Sequence, residues 1–456
     1  MGRPSHRVEG LCCQVGPAAL AARVRTPLQH NQTGQVAEPV GQQAQRRQPV
    51  NSLPAARLSV RVNSGHDVTD ACFGQGDVWH ERTPRYRARN GAAHPSAAPP
   101  DAVDSPNVSR ETLGRTKPMS LPTGKLPLPL LRQALGQVPR RDPAVLVGAE
   151  PGEDAAVIDV GGPELLVAAA DPITFAAADI GTYLLAVNGN DLAVMGAEPR
   201  WLLATVLAPA GTTAPEIQAL LADVTAACAA AAVALVGGHT EITDSVTSPV
   251  VAGTLLGTAS RDSLVRTSGA QPGDALLLVG EIAIEGTAVL AGDHAATLRR
   301  AGVSEADIET GASRLQAPGI SVRPAAAALR AAADVHAMHD PTEGGLAAAL
   351  HELAEAAEVG VVVDRDAVPI LPECHRICRA LGLDPYALLA SGALLASLPA
   401  AQAPAAVTAL REAGLSAEII GEVTEVSVGR RWTVSGSDVP IPAVERDELA
   451  RFLESA

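Results

Sequence analysis

Five short stretches set carboxylates beside glycines or at the ends of apolar runs: "GEDAAV" (Gly152–Val157), "DPITF" (Asp171–Phe175), "NGND" (Asn188–Asp191), "GGHTE" (Gly237–Glu241) and "DPTEGG" (Asp340–Gly345). Each has an ordinary structural reading. Asp340, ahead of Pro, Thr and Glu, suits a helix N-cap; "GGHTE" suits a turn; Asp171-Pro172 suits a strand end. Taken together they suggest a chemistry. Hard oxygen donors drawn from several element ends are what Mg²⁺ needs when it is shared with a polyphosphate. Because Mg²⁺ keeps waters and takes only one or two protein carboxylates, four or five acids suggest more than one ion. Glycine-rich turns beside helix starts offer backbone N–H groups to phosphate oxygens. The sequence has no GxxxxGK[ST], so the phosphate loop of ordinary NTPases is not expected.

The most pointed stretch is "AVNGNDLAVMGAEP" (186–199). It has a helical apolar pattern, yet Asn, Asp and Gly are poor helix-interior residues. The expectation is that Leu184, Val187 and Leu192 hold the core while Asn190 and Asp191 face a metal–nucleotide site. Small Ala193, Gly196 and Ala197 would let another backbone come close. Other candidates read more blandly. Cys374 and Cys378, four apart on a helix, suit packing. His336 and His339 lack a third partner that would make them ligands. Lys125, the only lysine after Met119, suits a solvated position better than a phosphate contact.

These groups need elements to position them. "AAVIDV" and "ELLVAAADPITF" read as a hairpin through Gly161-Gly162-Pro163, followed by a helix from about 179 to 196 and a buried strand "PRWLLATVLAP". Thr213 and Glu216 form a capping-box pattern with Pro215 in the first turn of the next helix. Strands "ALVGGHTEI" and "SPVVAGTLLGTAS" come next. The polar junction "RDSLVRTSGAQPGD" (261–274) is the expected domain boundary. The strand–strand–helix–strand–helix–strand–strand order does not alternate as a doubly wound sheet does, so helices on antiparallel or mixed sheets are expected.

Composition limits the function classes. The 456 residues carry a formal net charge of −15 and only 2% aromatics, so the core must be built from Ala, Leu and Val. The acidity argues against a general nucleic-acid or anionic-membrane binder. No apolar run approaches a membrane span, no secretory signal is evident, and six cysteines in so long a chain make no disulfide framework. A reducing cytoplasm is the expected compartment. Residues 1–118 differ from the rest: 14 Arg and one Lys against nine acids give about +6, leaving about −21 for the remainder. That extension reads either as a basic disordered tail or as sequence upstream of a true start at Met119.

In order and spacing, "GEDAAV … DPITF … NGNDLAVMGAEP … GGHTE … DPTEGGL … SGALL" resembles the aminoimidazole-ribonucleotide (AIR) synthetase superfamily. "LPTGKLPLPLL" and "RTSGAQPGDALLLVG" place the resemblance nearest its HypE-like, AIR synthase-related branch. The resemblance implies an α+β fold of two α/β domains. An N-terminal ATP/Mg domain (119–262), with a mixed sheet that forms a barrel in a homodimer, would precede a second domain (263–430) and a C-terminal tail (431–456). It also implies that Asp154, Asp171, Asp191 and Glu241 ligate Mg²⁺ or neighbour phosphates, and that Gly152, Asn188, Asn190, Gly237, Gly238, Gly344 and Gly345 contact ATP. His239 and Asp340 would serve the chemistry, which phosphorylates an amide- or carbonyl-type oxygen. The acceptor would be a small molecule or protein-bound group, with an aminoimidazole-type purine precursor and thiamine monophosphate as alternatives, and a maturation protein as a possible partner. HypE carries its carbamoyl group on a C-terminal Cys, whereas this sequence ends "ELARFLESA"; carbamoyl dehydration on its own tail is therefore not expected. The competing reading is a nucleotide-sensing or scaffold paralogue without turnover.

Overall fold

The computed structural model describes residues 121, 123–138, 142–174 and 178–455. The expectations for residues 1–118 and for Phe175 lie outside the described residues. Helix α1 (Leu128–Leu135) precedes a first sheet of β1 (Val145–Val147), β2 (Ala156–Ile158), β3 (Glu164–Ala169), β4 (Pro172–Ile173), β5 (Glu198–Pro209), β6 (Ala234–Thr243) and β7 (Val250–Ser260). Their order is β1-β2-β3-β7-β5-β6, with β4 also paired to β7. β2 and β3 form the expected antiparallel hairpin. Among the described residues of this sheet only β5 and β6 run parallel, because helix α3 (Ala214–Ala230) supplies the long crossover such a pair requires. Glu216 accepts from both the backbone N–H and the hydroxyl of Thr213, fixing the start of α3. The strand β6 is left at the sheet edge, exposed along nearly all of its length.

A second mixed sheet follows the junction: β8 (Asp274–Val279), β9 (Ala337–His339), β10 (Gly360–Asp364), β11 (Leu394–Pro399), β12 (Ala417–Thr424), β13 (Arg430–Val434) and β14 (Ser437–Pro440), ordered β14-β13-β10-β12-β8-β11-β9. The continuous apolar run of β8 is buried at every position, as a central strand requires. Between helix α2 (Ile180–Val194) of the first half and helices α4 (Ile284–Asp293) and α8 (Gly345–Ala356) of the second, the two halves bring their chemistry-bearing residues together. The result is mixed α/β with two sheets. Among the described residues, no helix is long and apolar enough to cross a membrane.

The described residues of the expected C-terminal tail, 431–455, include regular elements. β13 and β14 complete the second sheet, and the terminal helix Glu448–Ser455 buries Leu449, Ala450 and Phe452. Buried Asp447 accepts from the backbone N–H of Gly344 at 2.7 Å and from that of Leu449 at 2.7 Å. The amphipathic spacing of "ELARFLES" explains why it docks.

Candidate active site

Helix α2 answers the question raised by its polar residues, though not entirely as expected. Nearly every residue of it is buried, so its polar groups must find partners. Asn188 accepts from the backbone N–H of Asp171 at 3.0 Å and donates to the carbonyls of Leu184 and Asp171 at 3.0 and 3.3 Å. Asn190 donates to the Ile320 carbonyl and accepts from the Val322 N–H, both at 2.8 Å. Both amides are therefore used within the fold, Asn188 to hold the Asp171 turn and Asn190 to clamp a segment of the second half. Neither lines the cavity that Asp191 enters. Asp191 is left. Leu184 and Leu192 pack in the core, as expected, while Val187 lines the cavity that Asp191 enters.

That cavity, of about 270 Å³, is lined by Asp154, Asp171, Asp191, Glu285, His339, Asp340, Glu343 and Lys125 among others. Asp154 comes from the loop before β2, Asp171 from between β3 and β4, and Asp340 from the end of β9. Glu153, beside Asp154, accepts from the backbone N–H groups of Thr267 and Ser268 at 3.3 and 3.2 Å and so fastens this loop to the junction. Thr267 donates its hydroxyl to Asp154 at 3.2 Å.

The acids here cannot all be at ease as anions. Asp340 is 1% exposed, and neither of its carboxylate oxygens has a hydrogen-bond partner among the described residues; the same holds for Asp191 Oδ2. Burial, then the Asp340 and Asp171 charges, push the Asp191 carboxyl well above the usual carboxylate range. Burial and the Asp154 charge do the same to Asp340, with His339 opposing. Buried unpaired carboxylates cost several kcal/mol unless a cation or a proton compensates them. Asp154, His339 and Asp340 each offer a donor atom within 4.8 Å of one another. The donor set is mainly hard oxygen, which suits Mg²⁺ rather than Zn²⁺. The residues present thus fit the expected ion.

His339 and Glu352 were not anticipated. His339 bridges Asp154 at 2.8 Å and Glu352 at 3.0 Å, one carboxylate on each ring nitrogen. Burial works against its cation, but the two carboxylates outweigh it and hold its pKa well above 6.5. Glu352 in turn meets Lys125 at 3.3 Å. Burial opposes its ionisation, yet His339 and Lys125 prevail and bring its pKa down to about 2. Lys125, expected in solvent, is half-exposed at the cavity rim; burial disfavours its charge, but Glu352, with Asp154 and Glu343, raises its pKa. The sequence signal for His339 was its place next to Asp340 at the end of an apolar run. His336, three positions before His339, pairs with Asp274 at 2.9 Å and does not line the cavity.

The glycines allow close backbone approaches. Gly152 sits at φ +86°, and a Cβ there would lie 2.8 Å from the Glu352 carbonyl, so it lets its loop lie against α8. At Gly345 (φ +63°) a Cβ would approach the Tyr386 carbonyl to 2.5 Å. The N–H groups of Gly344 and Gly345 already donate, to Asp447 and to the Thr342 carbonyl. Gly237, Gly238, His239 and Glu241 all lie on exposed β6 and do not line the cavity. His239 and Glu241 face each other at 3.4 Å, with side chains 66% and 52% exposed. Cys374 and Cys378 are buried in the core with sulfurs 3.9 Å apart, as packing residues.

Comparison with known proteins agrees with this architecture. Residues 152–259 match the family described as AIR synthase related protein, N-terminal domain, and residues 271–432 match its C-terminal domain. A putative hydrogenase expression/formation protein of Methanocaldococcus jannaschii is 32% identical over 312 residues, covering 65% of this chain and 90% of its own. A carbamoyl dehydratase HypE of Cupriavidus necator is 32% identical over 263 residues, covering 56% and 70%. A solved structure of the hydrogenase maturation protein HypE in complex with ATP superposes with a TM-score of 0.53 at 26% identity, covering 68% of this chain and 92% of that one. The ordered acid motifs, the two mixed sheets and these matches lead to one conclusion: the chain belongs to the AIR synthase related protein family, on its HypE-like branch.

Proposed function

We propose that this chain binds ATP with Mg²⁺ and transfers the γ-phosphoryl group to an amide- or carbonyl-type oxygen, as an enzyme of the carbamoyl dehydratase kind. The observation that carries the reading is the set of partnerless, buried oxygens on Asp191 and Asp340 beside Asp154 and Asp171. When bound there, Mg²⁺ supplies the positive charge that offsets the transferring phosphoryl group. The chain's own contribution is positioning. Asn188 holds Asp171, and Thr267 and His339 hold Asp154. Lys125 adds a cation at the rim within reach of a phosphate.

The reading includes a second copy of the chain. Strand β6 exposes Leu235, Val236 and Ile242, with Leu203 beside them on β5. An unpaired edge carrying apolar side chains invites pairing. A second copy on that face would cover them and give His239 and Glu241 a place in the assembled enzyme.

Titrating the full chain with ATP, with and without Mg²⁺, tests the proposal, together with ADP release when a carbamoyl compound is added. Binding should require Mg²⁺, and Asp191→Asn should weaken it at least about tenfold, or roughly 1.4 kcal/mol. ATP affinity indifferent to both the cation and the substitution would end the metal reading. Tight ATP binding without ADP release in the presence of any acceptor would favour a sensor.

A further inference from the structure

Both ring nitrogens of His339 are taken. Nδ1 lies 2.8 Å from Oδ1 and 2.9 Å from Oδ2 of Asp154, so it meets that carboxylate along its edge. Nε2 lies 3.0 Å from Oε2 of Glu352, on α8. The imidazole is a spacer between two carboxylates, and of these Asp154 lines the cavity whereas Glu352 stands behind it. The three side chains are enclosed, at 10%, 5% and 14% exposed for Asp154, His339 and Glu352. The backbone repeats the connection. Gly152, two residues before Asp154, brings its loop so close to α8 that a Cβ would lie 2.8 Å from the Glu352 carbonyl and 3.1 Å from the Ala356 side chain. The loop that carries Asp154 therefore meets α8 at Glu352 twice, once through its backbone and once through His339. Thr267, another partner of Asp154, reaches Oδ2.

A carboxylate turns readily about its terminal torsion, whose preference is broad, and a single hydroxyl does not fix its plane. An imidazole does so only when its own ring is fixed, and the hydrogen bond on one nitrogen sets the role of the other. Partners placed behind a metal-binding group in this way tune its hold on the ion. Resting on the reading that Asp154 serves a divalent cation, we propose that Glu352 is a positioning residue for that cation: acting through His339, it fixes the plane of the Asp154 carboxylate from outside the cavity. Lys125 takes Oε1 of Glu352 at 3.3 Å and leaves Oε2 to His339, so the rim lysine and the histidine do not compete for one oxygen. Two plainer roles make different predictions. An ion pair that only steadies α8 adds to stability and leaves cation affinity alone. A carboxylate that only adds negative charge is lost equally in every neutral replacement.

The test is Mn²⁺ binding to the full chain without nucleotide, followed by EPR as loss of the free-ion signal, with melts in EDTA to show that each variant is folded. Glu352→Ala should weaken Mn²⁺ binding about 10- to 100-fold. Glu352→Met, of like length but with no oxygen to accept, should do the same with the packing kept. Glu352→Gln, whose amide oxygen still accepts from His339 Nε2, should recover most of the loss. In a His339→Gln background, where the side chain cannot span both carboxylates, Glu352→Ala should cause no further loss, because the connection it serves is already broken. Wild-type affinity in both Glu352→Ala and Glu352→Met would overturn the proposal. So would a Gln variant as weak as the Ala variant, which would leave charge alone as the cause, or a full further loss in the His339→Gln background. An unmodified chain that binds no Mn²⁺ would instead strike the metal reading on which the proposal rests.

Discussion

Two acid-bearing regions looked alike in sequence and have opposite surroundings. "NGND" and "DPTEGG" lead into a chamber where Asp191 and Asp340 are enclosed by protein; "GGHTE" lies on the outer strand of the first sheet, where His239 and Glu241 are bathed in solvent. The residue types are the same, but the energetics differ. Water satisfies a carboxylate at the edge at little cost. In the interior the same group needs a proton or a cation to offset its charge. Composition identified acids; enclosure distinguishes the ones under electrostatic tension.

The largest expected departure comes from Asp340→Asn. In chelator it should stabilise the protein by about 1–3 kcal/mol, since it removes an unpaired buried charge. With Mg²⁺ present it should cost roughly 100-fold or more in phosphoryl transfer. Denaturant melts in EDTA and in Mg²⁺, with ADP-release rates, check both, and a fall in cation-free stability would break the comparison. Next is Asn188→Ala, which leaves the Asp171 backbone without its partner. It should destabilise by about 1–3 kcal/mol whether or not the cation is present, as measured by the same melts.

A smaller effect concerns pH. The folded pKa of His339 lies above its unfolded value of about 6.5. Its ion pairs therefore stabilise fully below that value, and this contribution is lost as pH rises through the higher folded pKa. Cation-free melting temperature should drop across that alkaline window, and His339→Gln should flatten the drop. Smallest of all, Glu241→Gln should change the stability of the isolated chain by less than about 0.5 kcal/mol. Val236→Glu should be equally mild for folding yet shift the sedimentation of any dimer towards the monomer. A large folding defect from either would mean that the edge is not the relaxed region it looks.

Much of the fold was legible because periodicity reports local structure directly. The hairpin at Gly161–Pro163, the capping box at Thr213 and the junction after Ser260 all follow from neighbours in sequence. The site was legible only in part. Asp154, Asp171, Asp191 and Asp340 line one cavity, but the orientation of a side chain on a helix buried all round is set by elements far along the chain. Asn190 illustrates the point: its partners, Ile320 and Val322, are about 130 residues away. His339 and Lys125 were undervalued because the residue that joins them, Glu352, belongs to a helix whose sequence looks like ordinary amphipathic packing.

The hydrogen bond from the Gly344 backbone to Asp447 makes the last helix a clasp on the loop between Asp340 and α8. Force or crowding applied to the chain's end, whether by a fused tag or by a protein gripping that helix, would be felt at the cavity wall. A remote handle of this kind could retune the chamber without any ligand entering it.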